Sequence, residues 1–346
     1  VDPAQTDDNY PKELFFMSEY TGNLTNRTIT TENQPDLIWN RQANNSQDWY
    51  VVDSTRGITA NKYILTNTTA LEATLPQGNF TSVGATSVGI SSGTWLNSGG
   101  SNYKMWMWRA NGGTTSTNTQ GDIDSTVQVD PSGGFSIVKY TGTLSSSGVQ
   151  TVGHGLSKAP SMFITKSLEK VGNWWVFSDE QTSWNYGLNL QTDGAQADKS
   201  GNGSMSAPNA NVFSTNYTDG MNENGNDLIA YCFANIEGYC KVGSYVGNAA
   251  TDGTFVYTGF KPAFMMNKPL VAGNWRLVDS QRSPYNVTQN ALSPNNANAK
   301  DTYASVNIDL LSNGFKMRNS GTPMNQATTY VYLAFAENPF KYATAR

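Results

Sequence analysis

The feature that most constrains this chain is an internal one: its sequence repeats three times with a period of about 100 residues. Each copy opens on Tyr-x-Gly, at Tyr20-Thr21-Gly22, Tyr140-Thr141-Gly142 and Tyr245-Val246-Gly247. Fifteen to twenty residues later comes a Pro, an apolar run and a cation six places on: Pro35 to Arg41, Pro160 to Lys166, Pro262 to Lys268. Then follows Asp or Asn before Trp and a further apolar run, at Trp49, Trp174 and Trp275. Copies one and three continue with Asp53-Ser54-Thr55-Arg56 and Asp279-Ser280-Gln281-Arg282, whereas copy two has Ser178-Asp179-Glu180-Gln181 and no Arg. Each closes on an aromatic run ending near Trp108, Phe233 or Phe335. A period this long means one supersecondary unit used repeatedly, so it precedes every other reading.

Within a copy, apolar runs of four to seven residues alternate with Gly/Asn/Ser/Asp clusters and no helical period holds. That pattern predicts an all-β chain of three tandem β-sandwich-like, jelly-roll-like repeats. A Pro suits the first residue of a strand and not its centre, which places Leu37-Ile38-Trp39, Phe163-Ile164 and Phe264-Met265-Met266 on strands buried at an interface. The predicted organisation is an N-terminal arm over 1–13, repeat one over 14–112, a Gly/Ser/Thr/Asn-rich linker over 113–133, repeat two over 134–238 and repeat three over 239–346. The linker reads as a spacer or as an excursion packed along a neighbour, and the short passage from Phe233 to Tyr245 ties repeats two and three into one unit.

Composition removes several classes. A net charge of −5 without a basic block lacks the footprint of a nucleic-acid binder. Apolar stretches of about seven residues fall far short of a membrane span, and the first residues carry no signal-peptide n-region or h-region. Forty Phe, Trp and Tyr residues can bury a large core, which excludes disorder. With His154 as the one imidazole and only Cys232 and Cys240 as thiols, neither a zinc site nor a histidine triad is expected, and no cofactor or metal is called for. Cys232 reads as a buried thiol, with a bridge to Cys240 left open.

The residues that recur, Trp49, Trp174, Trp275, Asp53, Arg56, Asp279 and Arg282, read as structural positions; Arg41, Lys166 and Lys268 read as solvated strand ends. Residues that break the repeat are better candidates for binding. Trp184, Tyr186, Tyr285 and Trp95 lie in Asn- and Ser-rich loops and offer apolar rings beside hydrogen-bonding groups, the chemistry of a neutral glycan site. No catalytic residue is assigned; Glu169, Asp179 and Glu180 are the carboxyls to inspect for glycoside hydrolysis, and Asp122, Asp124 and Asp130 read as linker acids rather than a calcium site. The Asn-x-Ser/Thr sequences at Asn23, Asn26, Asn44, Asn67, Asn79, Asn216 and Asn286 would be glycan acceptors on a eukaryotic secretory route.

The segments Pro35 to Arg41, Asp53 to Gly57 with Leu65 to Ala70, Gly134 to Gly142 with Gly153 to Leu156, and Gly247 to Lys268 with Trp275 and Asp279 to Arg282 resemble the repeated domain of marine bacteriophage and cyanophage virion proteins, of the tail-fibre or appendage type. The resemblance covers Phe15 to Phe340 and departs in copy two, where Asp-x-x-Arg is missing. It implies a non-enzymatic structural protein on the virion exterior, in a tail fibre or similar appendage engaged in host attachment. Its implied partners are other virion proteins, its own copies in a homotrimer, and host surface polysaccharide. A capsid decoration or head-fibre protein and a tailspike-type glycan hydrolase are the alternatives.

Overall fold

The computed structural model describes residues 11–75, 79–299, 306–321 and 324–337, so the first ten residues of the expected arm lie outside the described residues. The protein is almost entirely antiparallel β. The first large sheet runs, in spatial order, β1 (Phe15–Thr21), β9 (Asn102–Trp108), β3 (Leu37–Gln42), β4 (Tyr50–Asp53), β5 (Lys62–Leu65) and β6 (Ala73–Thr74). The second runs β10 (Ser116–Asn118), β11 (Ser125–Val129), β12 (Phe135–Thr141), β19 (Asp227–Phe233), β14 (Met162–Ser167), β15 (Trp175–Ser178), β16 (Tyr186–Asn189) and β17 (Ala197–Asp198). The third runs β20 (Cys240–Val246), β26 (Thr329–Ala336), β22 (Pro262–Pro269) and β23 (Arg276–Asp279). In all three an opening strand pairs with the closing strand, which pairs with the second strand and that with the third.

Three small sheets accompany them: β2 (Arg27–Thr30), β8 (Ser87–Ile90) and β7 (Phe80–Gly84); β13 (Val149–Gly153) and β18 (Val212–Asn216); β21 (Phe255–Tyr257), β25 (Gly314–Met317) and β24 (Ile308–Leu311). Side chains alternate across a strand, so each large sheet has two faces to bury. On β9, Trp106 and Trp108 enter a core shared by all three large sheets, while Tyr103, Met105 and Met107 pack outward with Phe80, Val88 and Ile90 of the small sheet. The second and third large sheets do the same with their own small sheets. This two-sided burial is why the strands read as unbroken apolar runs.

Trp108, Phe233 and Phe335, from the closing strands, meet at the centre of the shared core with Phe15, Phe135 and Phe264; Phe335 lies 4.9 Å from Phe15, 5.6 Å from Trp108 and 5.9 Å from Phe233. All three large sheets are thus joined in one core, and the second and third are not a unit apart from the first. Of the two readings of the stretch 113–133, the packed excursion is the one seen: β10 and β11 extend the second sheet beyond β12.

Candidate functional site

The Tyr-x-Gly openings fasten the same turn in each sheet. Tyr20, Tyr140 and Tyr245 donate their hydroxyls to the carbonyls of Leu96 (2.6 Å), Met221 (2.6 Å) and Met324 (2.7 Å). Two residues on, a Cβ on Gly22, Gly142 or Gly247 would come within 2.1–2.2 Å of the carbonyl oxygen of Ser98, Glu223 or Gln326, so only glycine fits. The residue after each accepting carbonyl is a buried asparagine, Asn97, Asn222 or Asn325, whose Oδ1 accepts the N–H of Asn23 (2.9 Å), Thr143 (2.8 Å) or Asn248 (3.1 Å).

The repeated tryptophans are buried and tie one sheet to the next. Trp49 Nε1 donates to Asn296 O (3.0 Å), Trp174 Nε1 to Leu65 O (2.7 Å) and Trp275 Nε1 to Asn189 O (2.9 Å), which links first to third, second to first and third to second. Their backbone N–H groups are met by the side chains of Asn67, Gln191 and Asn295, each held in turn by the residue before the Trp: Asp48, Asn173 and Asn274. A glycan platform needs an open ring face, and these have none.

Arg41, Lys166 and Lys268 are not solvated strand ends but fully buried. The Lys268 ammonium donates to the carbonyls of Gly194 (2.8 Å), Pro269 (3.1 Å) and Val271 (3.2 Å), Lys166 to Ser167 O (2.8 Å), and Arg41 to Gln47, Ala297 and Asn298. Loop carbonyls left over at the strand ends need donors, and a buried cation with several N–H groups supplies them. Burial pushes Lys166 and Lys268 down to about 8, against the charges of Asp219 and Asp193, and Arg41 down to about 10.

Asp53 and Asp279 each accept from the guanidinium and the N–H of the Arg three residues on. Both pairs also face the closing strand of another sheet. Asp53 Oδ2 takes the Tyr231 hydroxyl at 2.8 Å, whereas Arg282 lies over the Trp106 ring and Asp279 has the buried ammonium of Lys104 at 3.7 Å. Burial raises the Asp279 carboxyl, but the charges of Arg282 and Lys104 outweigh it and its pKa is lowered. In the second sheet Gln181 closes the turn instead, accepting Ser178 N–H and donating to Val176 O as Arg56 does to Val51 O.

The glycan candidates are not brought together. Trp95 packs against Tyr50 and Tyr63, Trp184 stacks on Phe163 with planes 2° apart, Tyr186 is half-buried at the start of β16, and Tyr285 stands 84% exposed beside the third sheet. The carboxyls do not form a pair with Glu169: it accepts Asp227 N–H at one end of β14, while Asp179 follows Ser178, which pairs with Met162 at the other. Five strand residues separate those ends by roughly 16 Å, beyond the 5–9.5 Å of a glycosidase pair. Asp179 is raised to about 6, by burial of its carboxyl first and then by the charge of Glu180. Asp130 is no solvated linker acid; it is buried, accepts Gly134 N–H and the Ser132 hydroxyl, and desolvation raises it to about 6. Asp122 instead holds Thr151, and among the described residues no cluster of His, Cys, Asp and Glu could hold a metal ion. Cys232 and Cys240 are free buried thiols, and His154 is buried with Nε2 on Asn209 O (3.0 Å) and Nδ1 accepting Leu156 N–H (3.1 Å).

One opening lies along β1, a place the sequence did not mark. A groove of about 460 Å³ is lined by residues 17–20 of β1, residues 27–32 around β2 and Gln281 of the third sheet's turn. It continues past Phe15, Phe16, Ser280 and Glu337 into a second of about 250 Å³. Its charged residues are Glu19, Glu32 and Arg27, with Arg27 bonded to Thr21 O (2.6 Å) and lying over the Tyr20 ring.

Over residues 10–339 the chain matches the family described as a domain of unknown function, DUF7483, and it belongs to that family. The comparison with curated proteins gives no match. Among the described residues no helix is long and apolar enough to cross a membrane.

Proposed function

We propose that the three large sheets are copies of one sandwich-like unit closed around a shared core, and that the protein is a non-enzymatic structural component of a bacteriophage virion, in a tail fibre or similar exterior appendage. The observation that carries this reading is the recurrence of one set of bonds at every seam. Each repeated tryptophan reaches the next sheet, and beside it a backbone bond crosses the same seam: Gln47 N–H to Ala297 O (3.0 Å), Gly172 to Thr69 (3.0 Å) and Gly273 to Asp193 (2.7 Å). Conserving buried polar groups for such contacts produces a stiff block rather than a mobile cleft. The virion assignment itself rests on the resemblance of the repeated segments.

The resemblance implies a homotrimer, whereas the central aromatic residues are used inside the chain, where three sheets already surround one core. One chain can therefore occupy a place of threefold character, and sedimentation as a monomer is the expected result. Host polysaccharide remains a partner in this proposal through the exposed Tyr285 and the half-buried Trp184 and Tyr186.

The test labels intact phage particles with antibody to the purified protein, then incubates that protein with host cells and their surface polysaccharides. Antibody on an appendage and binding without released sugar fragments are expected. No label on any particle overturns the virion reading, label confined to the capsid shell selects the decoration-protein alternative, and fragment release selects the hydrolase.

A further inference from the structure

The groove along β1 corresponds to a place that this chain fills elsewhere. β12 stands in the second sheet where β1 stands in the first, and β11 lies antiparallel along its outer edge, from Ser125 opposite Tyr140 to Val129 opposite Ser136. The approach to β11 also grips the small sheet: Ile123 bridges Val152 on β13, its N–H reaches Thr151 O (3.1 Å), and Ser125 Oγ donates to Gly153 O (2.6 Å). On the other side Gln128 Nε2 donates to Ser54 Oγ (3.0 Å) and Thr55 Oγ1 (2.7 Å) in the first sheet's turn.

Each wall of that slot has its counterpart in the β1 groove. β1 stands for β12, β2 for β13, and Ser280-Gln281 of Asp279-Ser280-Gln281-Arg282 for Ser54-Thr55 of Asp53-Ser54-Thr55-Arg56. No described residue pairs with the outer edge of β1. An unpaired strand edge is a template for another strand, and edge pairing is a common mode of peptide recognition.

We propose that the β1 groove is a strand-receiving site that binds an extended segment of another polypeptide, antiparallel to β1, as β11 lies on β12. Its chemistry follows from the walls. Main-chain N–H and C=O groups supply the ladder, and an amide side chain at the place of Gln128 reaches Ser280 and Gln281. Opposite Lys139 in the filled slot stands Thr126, and the residue of β1 matching Lys139 is the exposed Glu19, with Glu32 also on the groove. A Lys or Arg at the Thr126 place is therefore favoured, since opposite charges facing across a ladder attract. This inference does not rest on the virion reading, and either can fail without the other.

The probe is a fluorescent peptide with the sequence of residues 121–131 and Lys in place of Thr126, titrated into the full-length protein. Saturable binding is expected. In an antiparallel ladder only alternate N–H groups of the added strand face β1. N-methylation at alternate positions should then weaken binding about fivefold each and leave the intervening positions unchanged. Glu19→Lys should weaken the Lys peptide and favour one with Glu at that place. Absence of saturable binding, or N-methyl effects without alternation, overturns the proposal. Binding that appears only after removal of residues 1–9 overturns it too, since the chain itself would then be what covers the groove.

Discussion

Replacing the three opening tyrosines by Phe, one at a time, separates the role of their hydroxyls from that of their rings. The ring stays, so the cost is set by what each hydroxyl holds. Tyr245→Phe loses the bond to Met324 O and the bond from Asn267 Nδ2 at 2.6 Å. Asn267 is wholly buried and its Oδ1 already has no partner, so its amide is stranded. A lost neutral bond of about 1 kcal/mol plus a stranded buried amide of 1–3 kcal/mol gives roughly 2–4 kcal/mol. Tyr20→Phe loses the bond to Leu96 O, but Asn40 was only at 3.4 Å, so roughly 1–2 kcal/mol is expected. Tyr140→Phe should cost about 1 kcal/mol or less, because Met221 O keeps Thr215 Oγ1 (3.0 Å) and Thr165 keeps Gly220 O (3.4 Å). Urea midpoints at constant m-value measure all three. Equal losses, or the largest loss at Tyr140, would refute the account.

Asp130→Asn should stabilise the protein at pH 7–8 by roughly 3 kcal/mol and have little effect near pH 4: the folded carboxyl is raised from 3.8 to about 6, so its favourable protonated form is lost as pH rises through 6. Urea midpoints of both proteins across that range give the answer. Burial lowers Lys104, Lys166 and Lys268 to about 8, so above pH 8 the unfolded chain binds more protons than the folded one. Stability should rise from about pH 7 to 9 by up to roughly 1.4 kcal/mol per unit for each lysine, then fall as the buried thiols Cys232 and Cys240 and tyrosines such as Tyr20 and Tyr245, all raised by burial, ionise first in the unfolded chain. A midpoint that falls between pH 7.5 and 8.5 contradicts this. Both thiols are buried and pushed up, Cys232 to about 12, so a thiol reagent at pH 8 should label neither until denaturant is added.

What the sequence made legible is what each unit does for itself. Tyr-x-Gly and Asp/Asn-Trp stand out because the residue types recur in order, and they fall at matching places in the three large sheets. The burial of the cations is hard to read because part of their acceptor set is remote: besides nearby carbonyls, Arg41 bonds to Ala297 and Asn298 and Lys268 to Gly194, whereas Lys166 bonds to its neighbour Ser167 and is buried by packing that the sequence does not announce. Asn97, Asn222 and Asn325 do not stand out in a chain full of Asn-rich turns. The signal was the apolar residue before each, Leu96, Met221 and Met324, readable once the Tyr-x-Gly copies are aligned. β11 was hidden by the composition of its surroundings, since Ser125-Thr126-Val127-Gln128-Val129 alternates as a strand but sits among Gly, Thr and Ser. The glycan candidates stand out by breaking the repeat, yet Trp95 and Trp184 break it by packing against outer cores, which packing decides and spacing does not.

Three similar sheets around one core raise the problem of order, because a seam built only from shared bonds would accept any neighbour. The seams differ in the residues that are not shared. Asp53 and Arg56 face Tyr231, Asp279 and Arg282 face Trp106 with Lys104, and the matching position on β26, opposite Val242 as Tyr231 is opposite Ile137, is Leu333. There the turn carries Ser178 and Gln181 at the places of Asp53 and Arg56: the Gln181 side chain is satisfied within the turn by the Ser178 N–H and Val176 O, and it is Glu180 that takes the Ser244 hydroxyl from across the seam. Docking the first sheet's turn on Leu333 would leave Asp53 with Arg56 but without the Tyr231 hydroxyl, and losing a buried hydrogen bond to a charged group costs about 1.5–3 kcal/mol. The hypothesis that the seam charges set the order is tested by Asp53→Ser with Arg56→Gln, which gives the first turn the neutral pair of the second. Because a buried ion pair adds little net stability over neutral groups, the correctly folded variant should stay within about 2 kcal/mol of the parent. Its yield on refolding from urea should nevertheless fall, with the loss appearing as compact species that lack the native near-ultraviolet tryptophan signal. An unchanged yield with an unchanged midpoint would mean that chain connectivity alone fixes the order and that the charges are dispensable.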